Sequence, residues 1–261
     1  MMKFTYIFRL KTATLVGLAL VVASCATTNS NDPRDPLEGW NRGVQSFNDS
    51  LDDYVMKPIA TGYQTVTPEF VDHGITNFFS NVNDIAVIAN QLLQFKLKET
   101  GMDTGRFLIN STVGLGGFVD VASHMDLPKH SEDLDQTLGF WGIPSGPYLV
   151  LPLIGPSTPR GVVGSAGDTM SNPINWVSPA AWPYGTGILR TIDSRADRLI
   201  ASKIVDEASV DRYEFIRNAY FQDRRNKIHD GNPPPDEDDL LLEKEMDELE
   251  HANTKPPTNN K

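Results

Sequence analysis

The chain has 261 residues, with 34 acidic and 23 basic side chains, a formal charge of −11 and a single cysteine. That balance excludes the basic footprint of a nucleic-acid-binding protein, and one cysteine excludes an intrachain disulfide framework. With 39% hydrophobic residues the chain suits one large folded body or two small ones, stabilised by packing alone.

Residues 1–24 read as an export leader. Lys3, Arg9 and Lys11 precede an apolar stretch from Leu15 to Ala23, and Val22-Ala23-Ser24-Cys25 closes it. Roughly twenty apolar residues are needed to cross a bilayer as a helix, so this shorter run is a cleaved signal and not a membrane span. Small residues before Cys25 admit a signal peptidase, and the thiol offers the site for a diacylglycerol thioether. The mature lipoprotein then begins at Cys25, with an N-acyl chain on the new amino terminus and no further cofactor. Loss of the three basic residues takes the formal charge from −11 to −14. Two acyl chains anchor a protein stably. Residues 25–32 form the lipidated tether, and Ala26 permits sorting to the outer membrane.

Asp35-Pro36-Leu37-Glu38 reads as a helix start, with Asp35 as cap and Pro36 in the first turn. Leu37, Trp40, Val44, Phe47, Leu51 and Tyr54 recur every three or four residues. Lys57-Pro58 is expected to interrupt that helix. Thr67-Pro68-Glu69 starts a second, carrying Phe70, Val71, Ile75, Phe78 and Phe79, and a third is expected over 84–98. A short helix over 103–112 leads to Gly114-Leu115-Gly116-Gly117, a flexible break.

Residues 120–187 are rich in Gly and Pro, and Tyr148 to Ile154 form an apolar island between breakers. Amphipathic helices are expected over 186–207 and 209–229, the second stopping at Gly231. From Asp230 to Lys261 there are ten acids and three bases, so 232–261 reads as an acidic, Pro-rich mobile tail. No alternating strand pattern stands out, and the chain reads as mainly α.

Catalytic patterns are poor. A nucleophile elbow needs glycine two residues either side of serine, and Ser165 has Val163 and Gly167. His124, Asp126 and His130 lack a second cluster to complete a metal site, so no metal is expected. The chain is read as a non-enzyme. Apolar crowding at Phe78-Phe79, Leu92-Leu93, Phe107-Leu108-Ile109 and Tyr148 to Ile154 suits a core. In a body tethered to a bilayer it also suits helices that face acyl chains.

Particular strings carry a resemblance: Asp35-Pro-Leu-Glu-Gly-Trp-Asn-Arg42, Phe47-Asn48, Asn77-Phe-Phe-Ser-Asn81, Arg106-Phe-Leu-Ile-Asn110, Gly114-x-Gly116-Gly117-Phe118-x-Asp120, Gly146-Pro-Tyr148 through to Arg160, and Tyr213-x-Phe-x-Arg217-x-Ala-Tyr220. In this order, over about residues 33–231, the chain resembles the MlaA/VacJ lipoprotein family. The resemblance implies a ring-shaped bundle of amphipathic helices lying in the inner leaflet of the outer membrane, at its periplasmic face, around an amphipathic channel. It further implies removal of mislocalised phospholipid from the outer leaflet and hand-off to a periplasmic lipid-binding shuttle, with a trimeric porin as associate. Phe47, Asn48, Asn110, Asp120 and Arg160 are the lipid-channel candidates, and Gly114, Gly116 and Gly117 the hinge candidates. The competing expectation is an adaptor lipoprotein that docks on a porin without moving lipid. The chain departs from the family at Asp84, where proline is common, and at Phe95, where glycine is common.

Overall fold

The computed structural model describes residues 32–177, 179 and 181–235. The leader, Cys25, the tether up to residue 31 and the tail from 236 lie outside the described residues. The first helix, α1, spans Glu38–Leu51. A π turn over Asp52–Met56 joins it to α2, Lys57–Val66. Then come α3, Glu69–Leu93, and α4, Leu97–Thr112. The shorter α5 spans Leu134–Phe140, and a hairpin follows with β1, Leu149–Leu151, antiparallel to β2, Gly155–Ser157. The chain continues through α6, Pro159–Ser171, α7, Ala181–Asp197, α8, Leu199–Ala208, and α9, Arg212–Ile228. The fold is mainly α, and among the described residues no helix is long and apolar enough to cross a membrane.

Several sequence expectations are corrected. Asp35 does not cap the first helix: it is fully buried, and Leu37 stands at the cap position without a side-chain bond. The Asp35 carboxylate instead accepts from Asn41 Nδ2 at 2.8 Å, from the Tyr213 hydroxyl and from Arg217 Nη1 at 3.2 Å. It thereby clasps the start of the body to α9. Lys57-Pro58 does not interrupt the helical path. The Lys57 amide donates to Asp52 O, five residues back, and this wider turn accommodates a proline that would clash in a regular α-helix.

The two helices expected over 67–79 and 84–98 form one, because Asn81-Val82-Asn83-Asp84 contains weak helix formers but no breaker. The stretch expected as one helix over 186–207 divides after Asp197 into α7 and α8. The apolar island is a short hairpin where no strand was expected. Asn41 and Asn48, two turns apart on α1, act as its edge partner. Asn41 donates to Tyr148 O and accepts from Val150 N, at 3.0 and 2.8 Å. Asn48 donates to Leu151 O and accepts from Leu153 N, at 2.9 and 2.8 Å.

Contacts between elements close a circuit. From α1 it passes through β1, β2, α9, α5, α3, α7 and α2, and returns to α1 through the π turn. A small apolar cluster joins α1, the hairpin and α9: Val44, Tyr148, Val150 and Tyr213, with Trp40, Tyr220 and Phe221 against it. Among the described residues, ten buried side chains are hydrophobic, twenty are polar or charged, and 34 large hydrophobics are exposed. Polarity is therefore turned inward, opposite to the usual distribution in water.

Many of the buried polar groups pair with one another. Gln91 donates to Asp103 at 2.6 Å, and Gln94 to Glu132 and Thr137 at 2.9 and 3.0 Å. Thr137 donates to Asn90 at 2.7 Å. These bonds lock α3, α4 and α5 together, each contributing on the order of 1 kcal/mol net.

Candidate functional site

A junction of polar and apolar surface lies along α7. One of its faces carries Arg190, Thr191, Ser194 and Arg195, and Arg198 continues the row just beyond the helix end. These side chains face Asn48, Leu51, Asp52, Met56, Leu153 and Ile154 across a cleft of about 560 Å³. Arg195 is paired with Asp52, Nε and Nη2 lying 2.6 and 2.7 Å from its two oxygens. That hydrogen-bonded carboxylate raises the arginine's already high pKa despite partial burial. The remaining nitrogen, Nη1, is buried without a partner. Among the described residues, the side chains of Arg190 and Arg198 have neither hydrogen bond nor ion pair. Arg190 also lines a second, polar cleft of about 310 Å³ bordered by Asn83, Ser165, Asp168 and Asn172.

An apolar groove of about 480 Å³ adjoins the first cleft and shares Met56 and Thr191 with it. Ile59 from α2 and Tyr184, Ile188 and Ile192 from α7 line it. A single helix thus offers guanidinium groups to one space and hydrocarbon to the next. That arrangement suits a molecule with an anionic head and an apolar body.

The residues singled out from sequence do not all meet here. Asn48 borders the cleft and also ties α1 to the hairpin. Phe47 is about half exposed. Asn110 and Asp120 belong to a separate network around Arg106, whose side chain is 1% exposed. Arg106 Nη2 donates to both oxygens of Asp120 at 3.0 and 2.9 Å, and Asn110 Nδ2 donates to it at 2.9 Å. Burial would raise the Asp120 pKa, but hydrogen bonds from Ser123, Asn110 and Arg106 outweigh it and hold it at about 2. Arg160 is buried too, with Nε on Asp135 and Nη1 on Ile143 O, both at 2.7 Å. Asn110, Asp120 and Arg160 border none of these clefts.

Gly114 and Gly117 occupy a packed turn. A Cβ on Gly114 would lie 2.2 Å from Val119 O, and one on Gly117, at φ +94°, 2.6 Å from the Asn81 side chain. Gly116, at φ +72°, faces open space. This is the geometry of a fixed bend. Sequence reasoning passes over Arg190, Arg195 and Arg198, and reads Asp52, adjacent to Asp53, as part of a solvated face. The arginine spacing on one helical face was the available signal, but the partner came from a segment some 140 residues away.

The fold and site define a class: a mainly helical body with polar groups inside, apolar groups outside and an amphipathic cleft. Residues 33–227 match the family model described as MlaA lipoprotein, and the chain belongs to that family. It is 34% identical over 230 residues to the intermembrane phospholipid transport system lipoprotein MlaA of Shigella flexneri, covering 85% of this chain and 89% of that protein. The Haemophilus influenzae protein of the same description is 31% identical over 234 residues, covering 85% and 93%. A solved structure from work on the structural basis for maintenance of bacterial outer membrane lipid asymmetry matches with a TM-score of 0.67 at 31% identity, covering 74% of this chain and 98% of that one.

Proposed function

We propose that this protein removes mislocalised phospholipid from the outer leaflet of the outer membrane and passes it to a periplasmic lipid-binding shuttle. In this reading Cys25 carries the diacylglycerol and N-acyl chains, and the apolar exterior of the helical circuit rests in the inner leaflet beside a trimeric porin. Phe47 and Asn48 stand on the helix that borders the lipid's path. The observation that carries the reading is the contiguity of the arginine-lined cleft and the apolar groove along α7, joined at Met56 and Thr191. A phospholipid needs both environments within one molecular length, and the family's relatives are named for moving one.

The chain carries no phosphate-binding loop of the GxxxxGK[ST] type, so any uphill movement is powered by other components. Deleting the gene and measuring outer-leaflet phospholipid, by acyl transfer onto surface-exposed lipid or by phospholipase accessibility, tests the proposal. The expected result is a rise reversed by the wild-type gene. An unchanged level with intact detergent resistance refutes lipid removal and leaves the adaptor reading. Release of fatty acid or phosphate by the purified protein would show an enzyme instead.

A further inference from the structure

Taking the transport reading as its premise, we infer that the arginine cleft binds the headgroup phosphate of a glycerophospholipid and favours headgroups with a net negative charge. Among the residues lining it, Arg190, Arg195 and Arg198 are cationic and Asp52 is the one carboxylate. Asp52 is already held by Arg195, with Lys57 4.0 Å away. The cleft therefore keeps an excess of two positive charges from Arg190 and Arg198, which have no partner of their own among the described residues. The unpartnered Nη1 of Arg195 adds a buried donor. Guanidinium groups match phosphate oxygens in geometry as well as charge.

A phosphate placed here leaves its acyl chains beside the groove of Met56, Ile59 and Ile188. Every phospholipid brings the phosphate. A zwitterionic headgroup also brings an ammonium, which the two free guanidinium groups repel, whereas a glycerol headgroup brings only hydroxyls that can hydrogen-bond. Arg190 borders both clefts, but Asp168 lines the second, so the excess positive charge belongs to the first.

The test titrates the full acylated protein, delipidated in dodecyl maltoside, with dioleoylphosphatidylglycerol, dioleoylphosphatidylethanolamine, dioleoylglycerol and inorganic phosphate, with native mass spectrometry as readout. Phosphatidylglycerol is expected to bind about tenfold more tightly than phosphatidylethanolamine, the scale of one charge-assisted hydrogen bond. The double variant R190Q/R198Q should remove that preference while leaving the melting temperature and dioleoylglycerol binding unchanged. Equal binding of the two phospholipids by the wild type, or a preference that survives the double variant, overturns the arginine site and leaves the transport reading standing. Displacement of phosphatidylglycerol by an equal concentration of inorganic phosphate marks a soluble-anion site and overturns the lipid assignment. Failure to bind any lipid, dioleoylglycerol included, overturns the site and its premise together.

Discussion

Replacing Asp120 by alanine distinguishes a structural carboxylate from a channel-lining one. In the wild type Asp120 takes two bonds from Arg106 and one from Asn110, and Arg106 is nearly inaccessible to water. Removing the carboxylate leaves a buried guanidinium with Leu127 O and Ser123 as its remaining acceptors. Stranding one member of a buried pair costs about 3 kcal/mol. In a domain of this size that lowers the melting temperature by about 10 °C. The assay is urea and thermal unfolding followed by far-ultraviolet circular dichroism in detergent, on D120A, R106M and the double variant. Because the pair shares one interaction, the double variant should lose less than the sum of the singles.

Acid provides a second readout. Asp120 has its folded pKa lowered from 3.8 to about 2, so its contribution is complete above the ordinary carboxylate value and is lost as the pH falls from 3.8 towards 2. The D120A protein should show a correspondingly smaller acid destabilisation in that window. Singles that cost less than about 1 kcal/mol, or that add without coupling, refute the structural assignment. Normal stability with impaired lipid binding would restore Asp120 to the lipid path.

Other perturbations follow from the same geometry. Asn41→Ala removes a buried side chain that serves Asp35, Tyr148 O and Val150 N, and denaturant titration should show a loss of about 2–3 kcal/mol. Gly117→Ala introduces both a left-handed strain and a close approach to Asn81, so it should destabilise by more than Gly116→Ala, whose cost is about 1 kcal/mol; equal costs would mean that the turn yields. Cys25→Ala should give an unprocessed precursor that no longer fractionates with the outer membrane, as judged by gel mobility and sucrose-gradient sedimentation.

The legible parts of the fold were those written in local spacing. The stripe through Trp40 and Val44 identifies the face of α1 that packs inward, and Thr67-Pro68-Glu69 marks the start of α3. What could not be read depended on remote partners. Asn41 and Asn48 show no strand signal, yet they supply the bonds that hold a hairpin more than a hundred residues away. Asp35 had every local mark of a helix cap, and it was taken instead by Tyr213 and Arg217 at the far end of the chain. The cleft has the same character. Arg190 and Arg198 are ordinary residues of an amphipathic helix until α1 and the hairpin tip close over the other side.

Phe95 ties a departure in sequence to a strain in structure. It follows the C-cap of α3 at φ +61°, where its amide donates to Leu92 O and that of Lys96 to Gln91 O. That pair of bonds defines a Schellman ending, whose left-handed position favours glycine, the residue common there in the resembling family. A phenylalanine in that conformation costs on the order of 1 kcal/mol, and its ring is largely exposed, so little packing offsets the cost in water. Phe95→Gly should therefore raise the unfolding free energy of the non-acylated protein in detergent-free buffer by about 1 kcal/mol. On the membrane-embedded reading proposed above, an exposed ring at a strained position has a use: inserted among acyl chains it would gain burial that water denies it. The same variant should partition less strongly onto phospholipid vesicles, measured by flotation. A protein that is stabilised and floats undiminished would show that the ring does not contact the bilayer.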